Sequence, residues 1–278
     1  MHVFRRIGAV LGAALLGLAP VASPAQAATV DLAGTVNVDG CSGSLVRMPT
    51  STADDRAFVL TNGHCYERTW PVPDEVLVDQ PSHRAVDLLD GKGEPVATLH
   101  VARAVYVTLT GTDVALYQLD TTYRQLERDH RVRPLTVSAD RPTPGTDIRV
   151  ASGSMKKVFS CEIDALVYRV LEAGNVTKDV IRYTPRCDTG SGTSGSPIID
   201  ARSGKVIGVN NTSNHDGGRC TLDNPCEMDR DGAISVRKGI AYGTQTYWLT
   251  TCVGAGNKLD LERPGCLLPR PDARVAAR

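Results

Sequence analysis

The sequence predicts an all-β fold made of two consecutive halves and one short helix. Short segments rich in β-branched and apolar residues recur along the chain, and clusters of Gly, Pro, Asp and Asn separate them. Segments with the 3.6-residue apolar period of a long helix are missing from the sequence. Strands in this arrangement, without helices between them, favour a sandwich or a barrel over a parallel α/β sheet.

The predicted strands form two groups. They cover residues 35–38, 44–48, 57–61, 75–79 and 104–109 before the linker 131–134, and residues 147–151, 166–171, 180–184, 197–199 and 205–209 after it. We therefore expect an N-terminal β-unit over residues 28–130, a C-terminal β-unit over residues 131–268 and a tail over residues 269–278. The one predicted helix lies near residues 244–252, where Trp248 and Cys252 are four apart and could share a buried face.

The first 27 residues have the three parts of a secretory signal peptide. Arg5 and Arg6 supply the positive charge, residues 7–18 form an apolar run, and Ala-Gln-Ala at 25–27 is a small-residue cleavage site. The apolar run is shorter than the roughly 20 residues that a membrane-spanning helix needs. We therefore expect a secreted protein, although the arginine pair leaves the export route open between the general and the twin-arginine pathways.

The charge of the chain is balanced. Of 31 basic residues, Arg5 and Arg6 lie in the leader, so 29 remain against 31 acidic residues. A near-neutral chain without a basic or acidic tract excludes no fold but argues against polyanion partners. We expect no nucleic-acid partner, no membrane contact after leader removal, and a monomer.

All eight cysteines follow the leader, at Cys41, Cys65, Cys161, Cys187, Cys220, Cys226, Cys252 and Cys266. An even number of cysteines in an exported chain predicts four disulfides. A zinc site is the competing interpretation, but no Cys-x-x-Cys pair occurs and reduced thiols are not expected outside the cell.

A serine lies in the glycine-flanked segment Gly-Thr-Ser-Gly-Ser-Pro at residues 192–197. Glycines allow the backbone to bend sharply there and to present the hydroxyl of Ser194 beside two backbone N–H groups. The same kind of segment is common in turns and linkers. Here an apolar strand, residues 197–199, follows at once and anchors the turn, so we expect Ser194 to act as a nucleophile.

A histidine and an aspartate lie next to two other apolar strands. His64 stands in Thr-Asn-Gly-His-Cys just after the strand 58–60, and the other histidines at 83, 100 and 130 lie among polar residues. Asp113 heads an apolar strand, where a buried carboxylate needs a partner such as an imidazole N–H. Asp87 is the second candidate, and Asp113 is preferred because the strand after it alternates more cleanly.

Four ordered motifs carry a family resemblance. They are Cys-Ser-Gly-Ser-Leu-Val at 41–46, Thr-Asn-Gly-His-Cys at 61–65, Asp-Val-Ala-Leu at 113–116 and the serine segment at 192–197. Together, in the order His, Asp, Ser, they resemble the chymotrypsin-like (trypsin-like) serine peptidases of the bacterial secreted type. The resemblance implies two antiparallel six-stranded β-barrels of the chymotrypsin-like type, with a catalytic triad of His64, Asp113 and Ser194 in the cleft between them.

The resemblance also implies an oxyanion hole formed by the backbone N–H groups of Gly192 and Ser194, and a first disulfide between Cys41 and Cys65. It implies no cofactor and no metal. For the other cysteines, one pairing joins 161 to 187, 220 to 226 and 252 to 266, while a rival joins 187 to 220 and 161 to 226. The acidic residues at 223, 227, 229 and 231 do not match a known calcium loop, so we interpret them as a solvated face.

One departure from the family concerns activation. Animal digestive members have an aspartate before the nucleophile that pairs with a new N-terminus, and this chain has the uncharged Thr193 there. The residues that follow the leader also lack the usual activation sequence. We therefore expect activity on folding after leader removal, without a separate activating cut.

The cleavage preference has three interpretations. Asp188, six residues before Ser194, falls where trypsin-like enzymes keep the acidic floor of the primary pocket, which favours Lys or Arg. It could equally be a turn residue next to a cysteine. In the third interpretation Asn210, Thr212 and His215, which follow the strand 206–209, line the pocket and accept an acidic or polar side chain.

The residues favour a secreted serine endopeptidase that hydrolyses peptide bonds through an acyl-enzyme intermediate, with Lys or Arg before the cut as one expectation. Its partner would be a protein or peptide substrate. The alternative is a catalytically idle trypsin-like domain that acts as a binding protein. An esterase on the same fold is a further alternative within hydrolysis.

Overall fold

The computed structural model describes residues 1–2 and 29–272 and confirms a mostly β fold with a short C-terminal helix. The predicted signal peptide from residue 3 onward and the last six residues of the predicted tail lie outside the described residues. The strands of the first sheet are β1 (Thr35–Val38), β2 (Cys41–Arg47), β3 (Arg56–Thr61), β4 (Val76–Pro81), β5 (Ala85–Leu89), β6 (Pro95–Thr108), β7 (Val114–Thr122) and β8 (Leu135–Thr136). The strands of the second sheet are β9 (Asp147–Ser152), β10 (Lys157–Glu172), β11 (Asn175–Tyr183), β12 (Pro197–Asp200), β13 (Val206–Ser213), β14 (Cys226–Met228), β15 (Ile234–Val236) and β16 (Ala241–Gln245).

The first sheet closes into a six-stranded barrel. Its strands follow the order β1, β5, β6, β7, β3, β2, and the pairing of β1 with β2 completes the ring. Alternate side chains of these strands fill the interior, where Val36, Leu45, Val59 and Leu119 are fully buried or nearly so. Burial of each such side chain contributes roughly 1.5–3 kcal/mol to folding.

The second sheet forms a ring as well. Its strands follow the order β11, β16, β13, β12, β9, β10, and β10 pairs again with β11. The β10–β11 hairpin joins strands of 16 and 9 residues. Its end lies beside the first sheet, because Gly111 exchanges backbone hydrogen bonds of 2.9 Å with Val176 and Lys178. This contact brings the hairpin end over the boundary between the two sheets.

One apolar cluster spans both sheets. Phe58, Leu60 and Leu116 of the first sheet belong to the same buried group as Ile199 and Val209 of the second. Strand β8 pairs with β2 of the first sheet, and the next residue, Val137, bridges to Val206 at the start of β13. The chain therefore crosses between the sheets at this point. The shared core holds the two rings against each other and creates a cleft at their boundary.

The described part of the chain contains two α-helices, α1 (Tyr123–His130) and α2 (Tyr247–Cys252), whereas the sequence predicted one. Helix α1 begins at a capping box in which Thr122 and Gln125 satisfy each other's backbone N–H groups. The sequence did not predict this helix, because only Tyr123 and Leu126 are buried and two apolar residues are too few to produce a helical period. Helix α2 is the predicted one, although Gln245 still belongs to β16.

The structure contains four disulfides, Cys41–Cys65, Cys161–Cys187, Cys220–Cys226 and Cys252–Cys266. This is the first of the two pairings considered, and the rival pairing is not formed. Within the acidic segment, Glu227 is buried and pairs with Arg182 and Arg237, so it is not part of a solvated face. No helix in the described part of the chain is long and apolar enough to cross a membrane.

Candidate active site

His64 is held at the end of a strand by its neighbours in the chain. Strand β3 ends at Thr61, and a short 3₁₀ turn, Gly63–Cys65, presents the imidazole. The disulfide from Cys65 to Cys41 ties this turn to the start of β2. The residue before the histidine must be glycine, because a Cβ at Gly63 would lie 2.1 Å from the carbonyl oxygen of Thr108. The turn therefore has little room to move.

Asp113 lies one residue before β7 and is 4% exposed. Its Oδ2 lies 2.7 Å from Nδ1 of His64, and its Oδ1 accepts the backbone N–H of His64 at 3.1 Å. Burial opposes protonation of the imidazole, but the negative charge and hydrogen bond of Asp113 outweigh it and raise the pKa of His64 above its ordinary value. The carboxylate therefore fixes the ring and favours its charged form.

The serine segment forms a tight turn before β12. Gly192 and Gly195 have φ angles of +85° and +82°, and a Cβ at Gly195 would lie 2.0 Å from the carbonyl oxygen of Ser42. The hydroxyl of Ser194 donates to the carbonyl of Asn211 at 3.2 Å rather than to His64. Among the described residues, the backbone N–H groups of Gly192 and Ser194 have no acceptor. Two free donors thus flank the serine.

Hydrogen bonds between uncharged groups of β11, β13 and the turn itself hold the serine turn in place. The hydroxyl of Tyr183 donates to Oδ1 of Asn210 at 3.1 Å, and Nδ2 of Asn210 donates to the carbonyl and to Oγ1 of Thr193 at 3.1 and 3.0 Å. Oγ1 of Thr193 in turn donates to the carbonyl of Gly190 at 2.5 Å. All of these contacts are buried or nearly so. They surround Thr193, the position at which animal digestive members have an aspartate that forms an ion pair.

His64, Asp113 and Ser194 line the same cavity, whose volume is about 840 Å³ when the part open to solvent is included. Asn210, Thr212 and His215 also line it. Two other candidates lie elsewhere. Asp188 is exposed and is not among the residues that line the cavity, and Asp87 lies in β5, where its carboxylate accepts a hydrogen bond from Thr98. The structure thus brings together the three predicted catalytic side chains but not Asp188.

All three of the pocket residues predicted after strand 206–209 are already hydrogen-bonded within the protein. Both ends of the Asn210 carboxamide are occupied, as described above, so its position in the cavity wall supports the serine turn. Nε2 of His215 lies 3.0 Å from the hydroxyl of Ser213, on the same strand end. Thr212 donates its hydroxyl to a glutamate, Glu172, at 3.0 Å.

Sequence reasoning missed three residues at this site. Asn62 donates to the backbone carbonyl of Asp113 at 2.9 Å and accepts from the N–H of Gly195 at 2.6 Å. Trp70 is exposed and lines the cavity, with its ring centroid 5.8 Å from that of His64. Glu172 reaches the cavity from the β10–β11 hairpin. Of the three, only Asn62 lies within a motif singled out in the sequence, Thr-Asn-Gly-His-Cys at 61–65.

Residues 41–209 match the family model described as the trypsin-like peptidase domain, which is more than half of the chain. The chain belongs to the trypsin-like peptidase family. Family and fold together support a serine protease-type hydrolase. No curated protein matches this trypsin-like peptidase.

Several solved structures resemble the trypsin-like peptidase. The active form of the Rv3671c protease from M. tuberculosis is 16% identical at a TM-score of 0.46, covering 86% of this chain and 84% of that one. A Glu endopeptidase in complex with MPD is 17% identical at a TM-score of 0.44, covering 77% and 85%. Neuropsin, expressed in mouse brain, is 16% identical at a TM-score of 0.46, covering 79% and 92%.

Proposed function

We propose that the protein is an exported serine endopeptidase whose catalytic residues are His64, Asp113 and Ser194. The observation that carries the proposal is the 2.7 Å contact between Nδ1 of His64 and Oδ2 of Asp113 at a cavity that Ser194 also lines. An imidazole held in this way by a buried carboxylate keeps its other nitrogen, Nε2, available to accept a proton. That arrangement suits a general base beside a serine nucleophile.

The proposed reaction begins when the Ser194 side chain turns from the Asn211 carbonyl toward Nε2 of His64. Oγ of Ser194 then forms a bond to the carbonyl carbon of the substrate peptide, and its proton passes to Nε2. The C–N bond breaks as His64 returns this proton to the leaving amine. Water repeats the sequence on the acyl-enzyme, which releases the second product and restores the serine. Asp113 stabilises the imidazolium in both halves of the reaction.

The N–H groups of Gly192 and Ser194 are the proposed oxyanion hole. Both lack an acceptor within the described residues. Gly192 has a positive φ, a backbone conformation that residues other than glycine rarely adopt. Two preformed donors beside the nucleophile can stabilise the negative oxygen of a tetrahedral intermediate. The loss of one such donor typically costs roughly 10²–10³ in kcat.

We further propose that the enzyme is active as soon as it folds and loses its leader. The contacts of Tyr183, Asn210 and Thr193 support this proposal, because they hold the serine turn without any charged N-terminus. Export is supported by the leader motif and by four disulfides, which persist in oxidising compartments. A peptide or protein is the proposed substrate. Cleavage next to Lys or Arg stays part of the proposal, but Asp188 is not placed to select it.

Labelling with a fluorophosphonate tests the proposal. Protein that begins at residue 28 should react once per chain at Ser194, and Ser194→Ala should abolish the reaction. Ser196→Ala is the matched control, because Ser196 lies on the same turn with its hydroxyl buried and without a hydrogen-bond partner among the described residues. Folded protein that does not react at all would instead support the idle binding domain, and reaction only after further trimming would contradict activity on folding.

A further inference from the structure

The cavity contains a carboxylate that the proposed mechanism does not use. Glu172 is the last residue of β10, is half-buried, and lines the same cavity as His64 and Ser194. Its Oε1 accepts hydrogen bonds from Oγ1 of Thr212 at 3.0 Å and from the backbone N–H of Asp223 at 2.7 Å. Its Oε2 has no hydrogen-bond or ion-pair partner in residues 29–272. One oxygen thus holds the side chain in place and the other remains available.

Glu172 lies close to the nucleophile through a short chain of contacts. Ser194 donates its hydroxyl to the carbonyl of Asn211, the next residue is Thr212, and Thr212 binds the carboxylate. Neighbouring Cα atoms in a chain are about 3.8 Å apart. A peptide whose scissile carbonyl sits at Ser194 would therefore present the side chain of a nearby residue to Glu172.

The charges of the cavity favour a cationic side chain. Besides Glu172, the lining includes Asp223, which is exposed, and Asp113, whose carboxylate His64 already engages. No lysine or arginine is among the described residues that line it. An ammonium or guanidinium group would thus meet carboxylates with no lysine or arginine beside them, and the imidazole of His64 is held by Asp113. An acidic side chain would be repelled by Glu172 and Asp223.

A second, independent feature points to a polar group of the substrate. Thr189 lines the same cavity and is 5% exposed, and its Oγ1 has no hydrogen-bond partner among the described residues. A buried hydroxyl without a partner costs free energy, which a bound polar ligand can recover. The cavity wall therefore has unused capacity for hydrogen bonds beside the serine turn.

We infer that Glu172 is a specificity-determining residue that binds a lysine or arginine side chain of the substrate within about three residues of the scissile bond. This inference rests on the proposed function of the same cavity. It assigns to a residue of the β10–β11 hairpin the selection that one interpretation of the sequence gave to Asp188. Burial raises the pKa of the free Glu172 carboxyl to about 7, and a bound cation would favour its ionised form.

A purely structural role for Glu172 is the competing explanation. Its bond to the N–H of Asp223, together with the bond from Ala173 N–H to the Cys220 carbonyl, supports the loop closed by the Cys220–Cys226 disulfide. The substitution Glu172→Gln separates the two roles, because the amide oxygen can still accept both hydrogen bonds while the charge is removed. A structural role predicts that Gln preserves the cleavage preference.

The experiment is cleavage of a peptide library in which each position near the scissile bond carries Lys, Arg, norleucine, Gln or Glu. In the wild type, we expect one position at which kcat/KM for Lys or Arg exceeds that for norleucine by roughly 10-fold or more, as a charge-assisted hydrogen bond provides. Glu172→Gln should reduce this ratio to within about 3-fold of unity. Asp188→Asn, which changes an exposed carboxylate outside the cavity, should keep it.

Each other outcome overturns the inference. A wild type without a basic preference at any position, a preference for Glu, or a preference that survives in Glu172→Gln would each do so. Reaction of the wild type with a fluorophosphonate distinguishes this failure from failure of the proposed function. If the wild type does not react, the affinities of Lys- and norleucine-containing peptides are measured instead by titrating the Ser194→Ala variant, which cannot cleave them. Equal affinities for the two peptides would then also reject the basic site.

Discussion

The side-chain oxygen of Asn62 lies 2.6 Å from the backbone nitrogen of Gly195, and this hydrogen bond joins the histidine segment to the serine turn. The amide nitrogen of the same side chain donates to the backbone carbonyl of Asp113. Asn62 is fully buried and therefore cannot exchange these partners for water. One carboxamide thus sets the relative positions of the segments that carry all three proposed catalytic residues.

Replacement of Asn62 by Ala should lower kcat by roughly 10-fold or more, because small displacements of catalytic groups are costly. It should also lower the free energy of unfolding by about 1–3 kcal/mol, since buried groups lose their partners. Steady-state kinetics and thermal unfolding measure the two effects. Asn257→Ala is the matched control, as Asn257 is a buried asparagine that bonds Ser51 and Arg56 away from the cavity. Equal losses of kcat in both variants would reject a positioning role for Asn62.

Asp113 should determine the pH dependence of activity. The free imidazole of His64 is the proposed base, so kcat/KM should rise with pH as the ring loses its proton, with a midpoint above the ordinary histidine pKa of about 6.5. Asp113→Asn removes the charge that raises the pKa of His64, so the midpoint should move to lower pH while kcat falls by roughly 10⁴. Asp87→Asn should change neither quantity, and a comparable loss there would show that the wrong acid was assigned.

The uncharged contacts below the serine turn should control its order. Tyr183→Phe removes the donor to Oδ1 of Asn210 in a fully buried setting, so the free energy of unfolding should fall by about 1–3 kcal/mol. Asn210→Ala also frees Thr193, and the rate of fluorophosphonate labelling at Ser194 should fall more than in Tyr183→Phe. Labelling rates that match the wild type in both variants would mean that the turn is ordered by other contacts.

Gly195 and Gly174 have similar φ angles but different surroundings, so alanine at each position tests whether the close contact at Gly195 requires glycine. Both have φ above +80°, but a Cβ at Gly195 would lie 2.0 Å from the Ser42 carbonyl, whereas a Cβ at Gly174 meets nothing within 4 Å. Gly174→Ala should therefore cost only the roughly 1–3 kcal/mol of backbone strain. Gly195→Ala should cost clearly more and abolish labelling of Ser194, as thermal unfolding and labelling would show. Similar stabilities of the two variants would contradict the close approach.

Glu172 should make stability depend on pH. Its pKa is raised to about 7, first by burial and also by the charge of Asp113, while its bonds to Thr212 and Asp223 and the charge of His64 oppose the shift. The unfolded chain releases this proton near pH 4.5 but the folded chain does so near pH 7. Between these values the folded state binds more protons, so the contribution of Glu172 to stability is full at low pH and falls as the pH rises.

The variant Glu172→Gln does not titrate, so its free energy of unfolding relative to the wild type should increase between pH 5 and pH 8. One pKa unit corresponds to about 1.4 kcal/mol, which makes about 3 kcal/mol the upper limit of this change. Chemical denaturation of both proteins across this range measures it. A difference that is constant with pH would show that the carboxyl titrates normally.

The sequence was sufficient for the elements whose signals are local. Strand patterns, the serine turn and the histidine segment are encoded by neighbouring residues, and the fold class and family that they predicted are confirmed. Helix α1 was not predicted because it has only two buried residues among polar ones. Thr122 and Gln125, its capping box, are the signal in the sequence that could have indicated it. For the cysteines, spacing left two pairings open until the folded chain placed each sulfur beside its partner.

By itself, the sequence determined which chemical groups the chain carries and the order in which the two halves supply them. Only the tertiary structure decided which of those groups share the cavity. It places Asp188 at the surface although it is near the nucleophile in the chain, and it brings Glu172 into the cavity from the end of a hairpin. The physical reason is that burial and proximity depend on strand register and on packing between distant segments, which no local pattern of residues specifies.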